Sequence, residues 1–167
     1  MNDEDTRRLS ERLTSLEARV RELEDQGAVL RLVHSWGPAV DTGSSREAGG
    51  LWDEAGVLDS DMSRLEGPSG VATMVESEGQ QALIRQGCAH VQSAPIVHID
   101  GDEAVVTTYS QVLLHGEQGH QVWRVSANRW ECRRTPEGWR LTLRVNRAID
   151  GSRAPRELLV RALRDEP

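Results

Sequence analysis

The stretch Ser35–Ser45, SWGPAVDTGSS, sets one carboxylate, Asp41, just after an apolar-spaced run that carries Trp36 and Val40. Asp41 is either a turn residue that closes a helix or a base held at the mouth of a pocket. The chain also holds five histidines, and a neutral imidazole is a competent base near physiological pH. Metal binding needs three or four converging ligands, and the histidines show no ligand-like spacing. Cys88 and Cys132 are too few and too isolated for a metal knuckle. The reading is therefore of chemistry without a metal or other cofactor.

Composition narrows the setting. The chain has 167 residues, 37% hydrophobic and 28% charged, which fits one globular body with an appendage. Phe is absent and five Trp supply most of the aromatic volume, so tryptophan is expected to anchor the core or the pocket. The net charge of −7 argues against nucleic acid as a main partner, because phosphate binding needs a basic surface. No apolar run approaches a membrane span, and the charged start MNDEDTRRLSERL lacks a signal-peptide core. A cytoplasmic location is expected, and no disulfide between the two cysteines.

The elements that position these groups fall into two parts. Leu9, Leu13, Leu16, Val20, Leu23, Gly27 and Leu30 follow one another at alternating steps of four and three. This is an a/d heptad seam, with Gly27 at an a position. Such a polar helix cannot bury its stripe alone, so residues 1–24 are expected to form a coiled-coil-like extension that makes a homo-oligomer, dimer or trimer. A helical face continues through Val29, Leu30, Val33, Trp36 and Val40, with Gly37-Pro38 expected to disturb it, and DTGSSREAGG reads as a flexible loop. LWDEAGVLD reads as a helical turn and a strand, EGPSG as a turn, and residues 71–87 as one helix. VQSAPIVHI meets VVTTYSQVLLH across DGDEA, an Asp-Gly hairpin signal. A second pair, HQVWRVSANRWECRRT and WRLTLRVNRAI, is joined by PEG. The pattern is α+β: helices packed on a curved antiparallel sheet of four to five strands over residues 25–152, with a helical tail at 153–167. The cone between helices and sheet is where a small ligand would bind.

The order of these pieces, and above all CAHVQSAPIVHIDGDEAVVTTYSQV followed by SANRWECRRTPEGWRLTLR, resembles the SnoaL-like branch of the nuclear transport factor 2-like superfamily. The resemblance runs from about Asp25 to Asp150 and implies a cone-shaped α+β barrel. Several members are lyases, dehydratases and dehydrochlorinases, in which an Asp at the end of the first helix pairs with a His across the pocket. Carried over, that pair is Asp41 and His90. The resemblance also implies Arg144, His115 and Asn128 as substrate-binding residues. Trp36 stands where a dehydratase carries Tyr, which removes a hydroxyl donor. Trp36 and Trp52, on either side of the helix end, are the candidate apolar walls, while Trp123, Trp130 and Trp139 are assigned to the core. Strand parity opposes two of these placements. In WRLTLRVN, Arg144 alternates away from Trp139, Leu141 and Leu143 unless a bulge re-aims it, and Asn128 is set against Val122 and Trp130 in the same way. His98 and His120 are expected on the surface. The implied function is a cofactor-independent lyase on a hydrophobic cyclic small molecule. An isomerase, a polyketide cyclase or a non-catalytic binding module remains open on the same pocket, because fold does not dictate function.

Overall fold

The computed structural model describes residues 3–164. The first two and last three residues of the expected extensions lie outside it. The described residues form five helices and seven strands in chain order.

Helix α1 (Asp3–Asp41) runs uninterrupted for 39 residues. The break expected at Gly37-Pro38 does not occur. Pro38 is exposed, so the hydrogen bond it cannot donate is missing on the solvent side, where water can serve the freed carbonyl. Meanwhile Val33, Trp36, Ala39 and Val40 pack into the core on the other face. Gly37 has a separate reason: a Cβ there would overlap the His90 carbonyl oxygen, so glycine lets helix and strand touch backbone to backbone. The helix closes in a Schellman motif, with Gly43 at φ +71, Gly43 N–H donating to Val40 O and Ser44 N–H to Ala39 O.

The loop expected next is instead a short helix, α2 (Ser45–Gly50). The helix expected over residues 71–87 is two, α3 (Gly67–Glu76) and α4 (Glu78–Gln86). Ser77 divides them, bonding Met74 O behind it and accepting from Gln80 N–H ahead. EGPSG is the start of α3, with Pro68 at its first turn.

The strands are β1 (Trp52–Ser60), β2 (Arg64–Glu66), β3 (Cys88–Gln92), β4 (Ile96–Asp100), β5 (Glu103–Gly116), β6 (Gly119–Thr135) and β7 (Gly138–Ala148). They form one open sheet in the order β2-β1-β7-β6-β5-β3, with β4 also on β5. Both expected hairpins are present, β4–β5 and β6–β7. The sheet is not wholly antiparallel: β1 pairs with β7 in parallel. Helix α5 (Arg153–Leu163) ends the described chain.

The core lies between the second half of α1, helices α2 and α3, and the concave face of the sheet, with Trp130, Leu141, Val29, Val33 and Val106 fully buried. In α1 the heptad residues behave otherwise. Leu9, Leu13, Leu16, Val20 and Leu23 are all more than half exposed. The boundary is pinned by Arg134, which holds Asp25 with two 2.6 Å hydrogen bonds and lies 4.5 Å over the Trp139 ring.

Candidate active site

Asp41 sits in the last turn of α1, where the helix dipole disfavours a carboxylate. Its partners come from β3. His90 Nδ1 lies 2.5 Å from Asp41 Oδ1, the His90 backbone N–H donates to Oδ2 at 2.7 Å, and the Cys88 thiol donates to Oδ1 at 3.4 Å. Cys88 and His90 are two residues apart on one strand and so present to the same side. β3 pairs only with β5 on its other edge, which leaves the His90 amide for Asp41. The Asp-Thr-Gly turn and the pocket base are thus not alternatives: Thr42-Gly43 makes the turn, and the Asp41 side chain is free to reach across. Both side chains of the pair are mostly covered, 18% exposed for Asp41 and 16% for His90.

His90 lines a cavity of about 400 Å³. Asp41 stands behind it. With Nδ1 on the carboxylate, Nε2 is the ring atom left for a ligand. The apolar wall is Trp36, Val40, Leu58, Leu65, Met74 and Val112, and Gln80, Ser110, Ser126, Arg124, Arg144 and Asn146 supply polar groups.

The strand parity that opposed Arg144 is reversed by a bulge. Leu143 pairs with Glu131 and Leu141 with Cys132, so Thr142 is the extra residue, its hydroxyl bonded to Glu131 O. The alternation flips there: Trp139 and Leu141 face in before it, Arg144 and Asn146 after it. Asn128 needs no such device. It lies two residues from Trp130, shares its inward face and is fully buried, so the parity objection to it does not hold. It does not touch the cavity itself. Its Oδ1 accepts from Arg144 Nε and Nη2 at 3.1 and 2.8 Å and from Asn146 Nδ2 at 2.7 Å, and its Nδ2 donates to Ser110 Oγ. Arg144 is flanked by Trp36 and Trp130, 4.9 and 4.2 Å from the ring centres. Burial, and Arg124 nearby, pull its pKa down to about 9, still cationic at neutral pH.

Four expected placements are corrected. Trp52 is not a pocket wall: it is buried behind Trp36, edge-on at 5.9 Å, within the core. His115 is not in the pocket, because β5 carries it past the cone to an exposed hairpin tip, ring to ring with His120. Trp123, assigned to the core, is half exposed at the cavity wall. His98 is half-buried rather than on the surface. Sequence reasoning missed Cys88, Arg124 and Gln80; only the proximity of Cys88 to His90 along one strand could have flagged any of them.

Asp41, Cys88 and His90 place potential ligand atoms within 4.8 Å of one another, a convergence that sequence spacing did not reveal. Burial first, and the adjacent Asp41 charge second, push the Cys88 thiol up to about 11, so it stays protonated and donates. Asp41 thus meets three hydrogen-bonding groups of β3, the His90 ring and amide and the Cys88 thiol.

A helix-covered open sheet enclosing a mixed cavity, with a carboxylate–imidazole pair at its wall, is the architecture of the nuclear transport factor 2-like type. The SnoaL-like domain profile matches residues 21–145, and the chain belongs to that family. An NTF2-like protein with a cystatin-like fold from Novosphingobium aromaticivorans is 37% identical, with a TM-score of 0.85 over 88% of this chain and 96% of that one. The hexachlorocyclohexane dehydrochlorinase LinA-type3 from Novosphingobium barchaimii has the same fold at 13% identity, with a TM-score of 0.68 over 78% and 90%. A protein of unknown function from Mycobacterium tuberculosis matches at 16% identity and 0.67, over 90% and 93%. No curated protein matches the sequence. No helix among the described residues is long and apolar enough to cross a membrane.

Proposed function

We propose that this protein is a cofactor-independent acid–base enzyme that eliminates water or a halide from a hydrophobic cyclic small molecule. The observation that carries this reading is the Asp41–His90 hydrogen bond with the imidazole on the cavity wall. Asp41 fixes the tautomer protonated at Nδ1, so the Nε2 lone pair faces the ligand. Nε2 takes a proton from carbon, the C–H electrons become the new double bond, and the leaving group departs with its bonding pair. Asp41 stabilises the imidazolium, which returns its proton to departing hydroxide or, after loss of a halide, releases it to solvent. Trp36 keeps water away from the reacting carbon, and Arg144 is placed to receive developing negative charge. An isomerase or a polyketide cyclase would use the same base and return the proton to carbon. The dehydrochlorinase among the structural relatives favours elimination. Residues 25–152 would form the catalytic domain, 153–167 a tail, and 1–24 the segment through which the chain forms a homo-oligomer.

Incubation with a panel of cyclic β-hydroxy ketones and halogenated rings tests the reaction. We expect turnover of at least one compound, reduced by at least two orders of magnitude in His90→Ala. Unchanged turnover in that variant would return Asp41 to the purely structural role of tying helix α1 to the edge of β3.

A further inference from the structure

Two arginines reach the cavity, and they are treated oppositely. Arg124 is matched by a carboxylate, Asp61, at 2.6 Å. Arg144 is not. It is almost fully buried, its hydrogen bonds go to the neutral Asn128 amide oxygen, and among the described residues no acid is paired with it. A buried guanidinium is ordinarily matched by an acid. Here the acceptor has the shape of a carboxylate and lacks its charge. The two Trp rings stabilise the cation without neutralising it.

We propose that the substrate of this pocket is a hydrophobic ring bearing a carboxylate, that the carboxylate docks on Arg144, and that Asn128 is the positioning residue that keeps the Arg144 charge available. The inference rests on the reading of the cavity as the small-molecule site. Because Arg144 and His90 line one cavity, a single ligand of this class would place its charged end on Arg144 and a ring carbon near His90. Asn128→Asp is close to isosteric. It would hand Arg144 an internal counter-ion, and the Ser110 hydroxyl can turn to donate to the new oxygen.

The test is titration of the full-length protein at pH 7 with cyclohexanecarboxylate and 2-naphthoate, each against its neutral carboxamide, followed by calorimetry. We expect each acid to bind at least tenfold more tightly than its amide. Asn128→Asp, and separately Arg144→Gln, should abolish that preference. Equal affinity for acid and amide, no carboxylate binding at millimolar concentration, or a preference surviving both substitutions overturns the assignment. His90→Ala separates the two readings. It should lose turnover and keep the acid preference. Turnover without acid preference sinks this inference alone, and acid preference without turnover sinks the reaction alone.

A second surface carries an inference on independent grounds. The exposed seam has Leu9, Leu16 and Leu23 at d and Leu13 and Val20 at a. The flanking g positions are Arg12 and Arg19, and the e positions are Glu17 and Glu24. In a parallel, in-register pair each g residue meets the partner's e residue five positions on. Arg12 would meet Glu17 and Arg19 would meet Glu24, whereas antiparallel pairing would set Arg against Arg. We infer that the seam binds a second copy of this chain in parallel. The pairing stops near Gly27, after which Val29 and Val33 are buried in their own domain. The test is sedimentation of the full chain with Arg12→Glu/Arg19→Glu, together with oxidative cross-linking of Leu9→Cys. We expect at least tenfold weaker self-association in the first and a covalent dimer in the second. Unchanged association or no cross-link overturns the parallel pair.

Discussion

The stretch of α1 from Leu9 to Leu23 and the stretch from Val29 to Val40 belong to one unbroken helix, and both carry an apolar stripe. In the first every stripe residue is more than half exposed, whereas in the second Val29, Val33, Trp36 and Val40 are at most 3% exposed. Helical geometry is the same in both, so the difference comes from what lies alongside. The second half has a sheet to cover it, and its sequence has Trp36 and Gly37 where a concave wall and a strand come close. The first half has only charges between its leucines. Stability and site geometry should therefore reside in the second half, and association in the first, with the Asp25–Arg134 clamp as the joint between them.

Substitutions along the helix can break or sharpen this division. The largest effect is expected at its C-terminal end. Asp41→Asn should lower kcat by about 10²–10⁴, the usual range for a lost acid–base component, without altering solution mass. A variant with near-normal kcat would detach the chemistry from the helix end. Next is Gly37→Ala, where the new methyl must push β3 and His90 away. It should cost about 1–3 kcal/mol in urea unfolding, as overpacking does, and should reduce turnover as well. Unaltered stability would mean that the helix–strand approach is loose.

Smaller again is Asp25→Asn. Arg134 holds the Asp25 carboxyl below its ordinary 3.8, so the native state favours the charged form. The stability this adds is present above pH 3.8 and is lost as pH falls through the lower native value. Wild type should exceed the variant by less than about 1 kcal/mol at pH 7, since the pair is partly exposed, and the gap should close in acid. A gap that widens in acid would reverse the assigned sign. The smallest effect on the pocket is expected from Leu16→Asp, which should leave turnover within about twofold while reducing solution mass. A large loss of turnover there would show that the two halves are coupled after all.

Much of this arrangement could be read along the chain because it is written locally. The Asp-Gly hairpin, the Pro-Glu-Gly hairpin, the heptad steps and the helix-ending Asp41-Thr42-Gly43 each depend on residues within a few positions of one another. What could not be read depends on neighbours distant in sequence. Pro38 is tolerated because the flanking turns are packed, and local propensity yields to that. The parallel contact of β1 with β7 joins residues some 90 positions apart. Thr142 bulges and turns Arg144 inward, although nothing in TLR distinguishes it from regular alternation. Trp52 and His115 lie elsewhere than expected for a related reason: sequence shows which residues flank a helix end or continue a strand, but not how far the strand overshoots the cone. The Asp41–His90 pairing came from family resemblance, and its third member, Cys88, is visible only once β3 is laid against α1.

Gly37 and Pro38 have one further consequence, for the freedom of the sequence to vary. Neighbours in the chain, they read together as a helix-breaking unit, yet they differ in how much change each can absorb. Position 38 faces solvent, and any good helix former should serve there at least as well as proline. Position 37 takes a side chain only if the His90 backbone gives way. A saturation library across the two, selected for the most stable variants, should be dominated by glycine at the first and return a broad spectrum at the second.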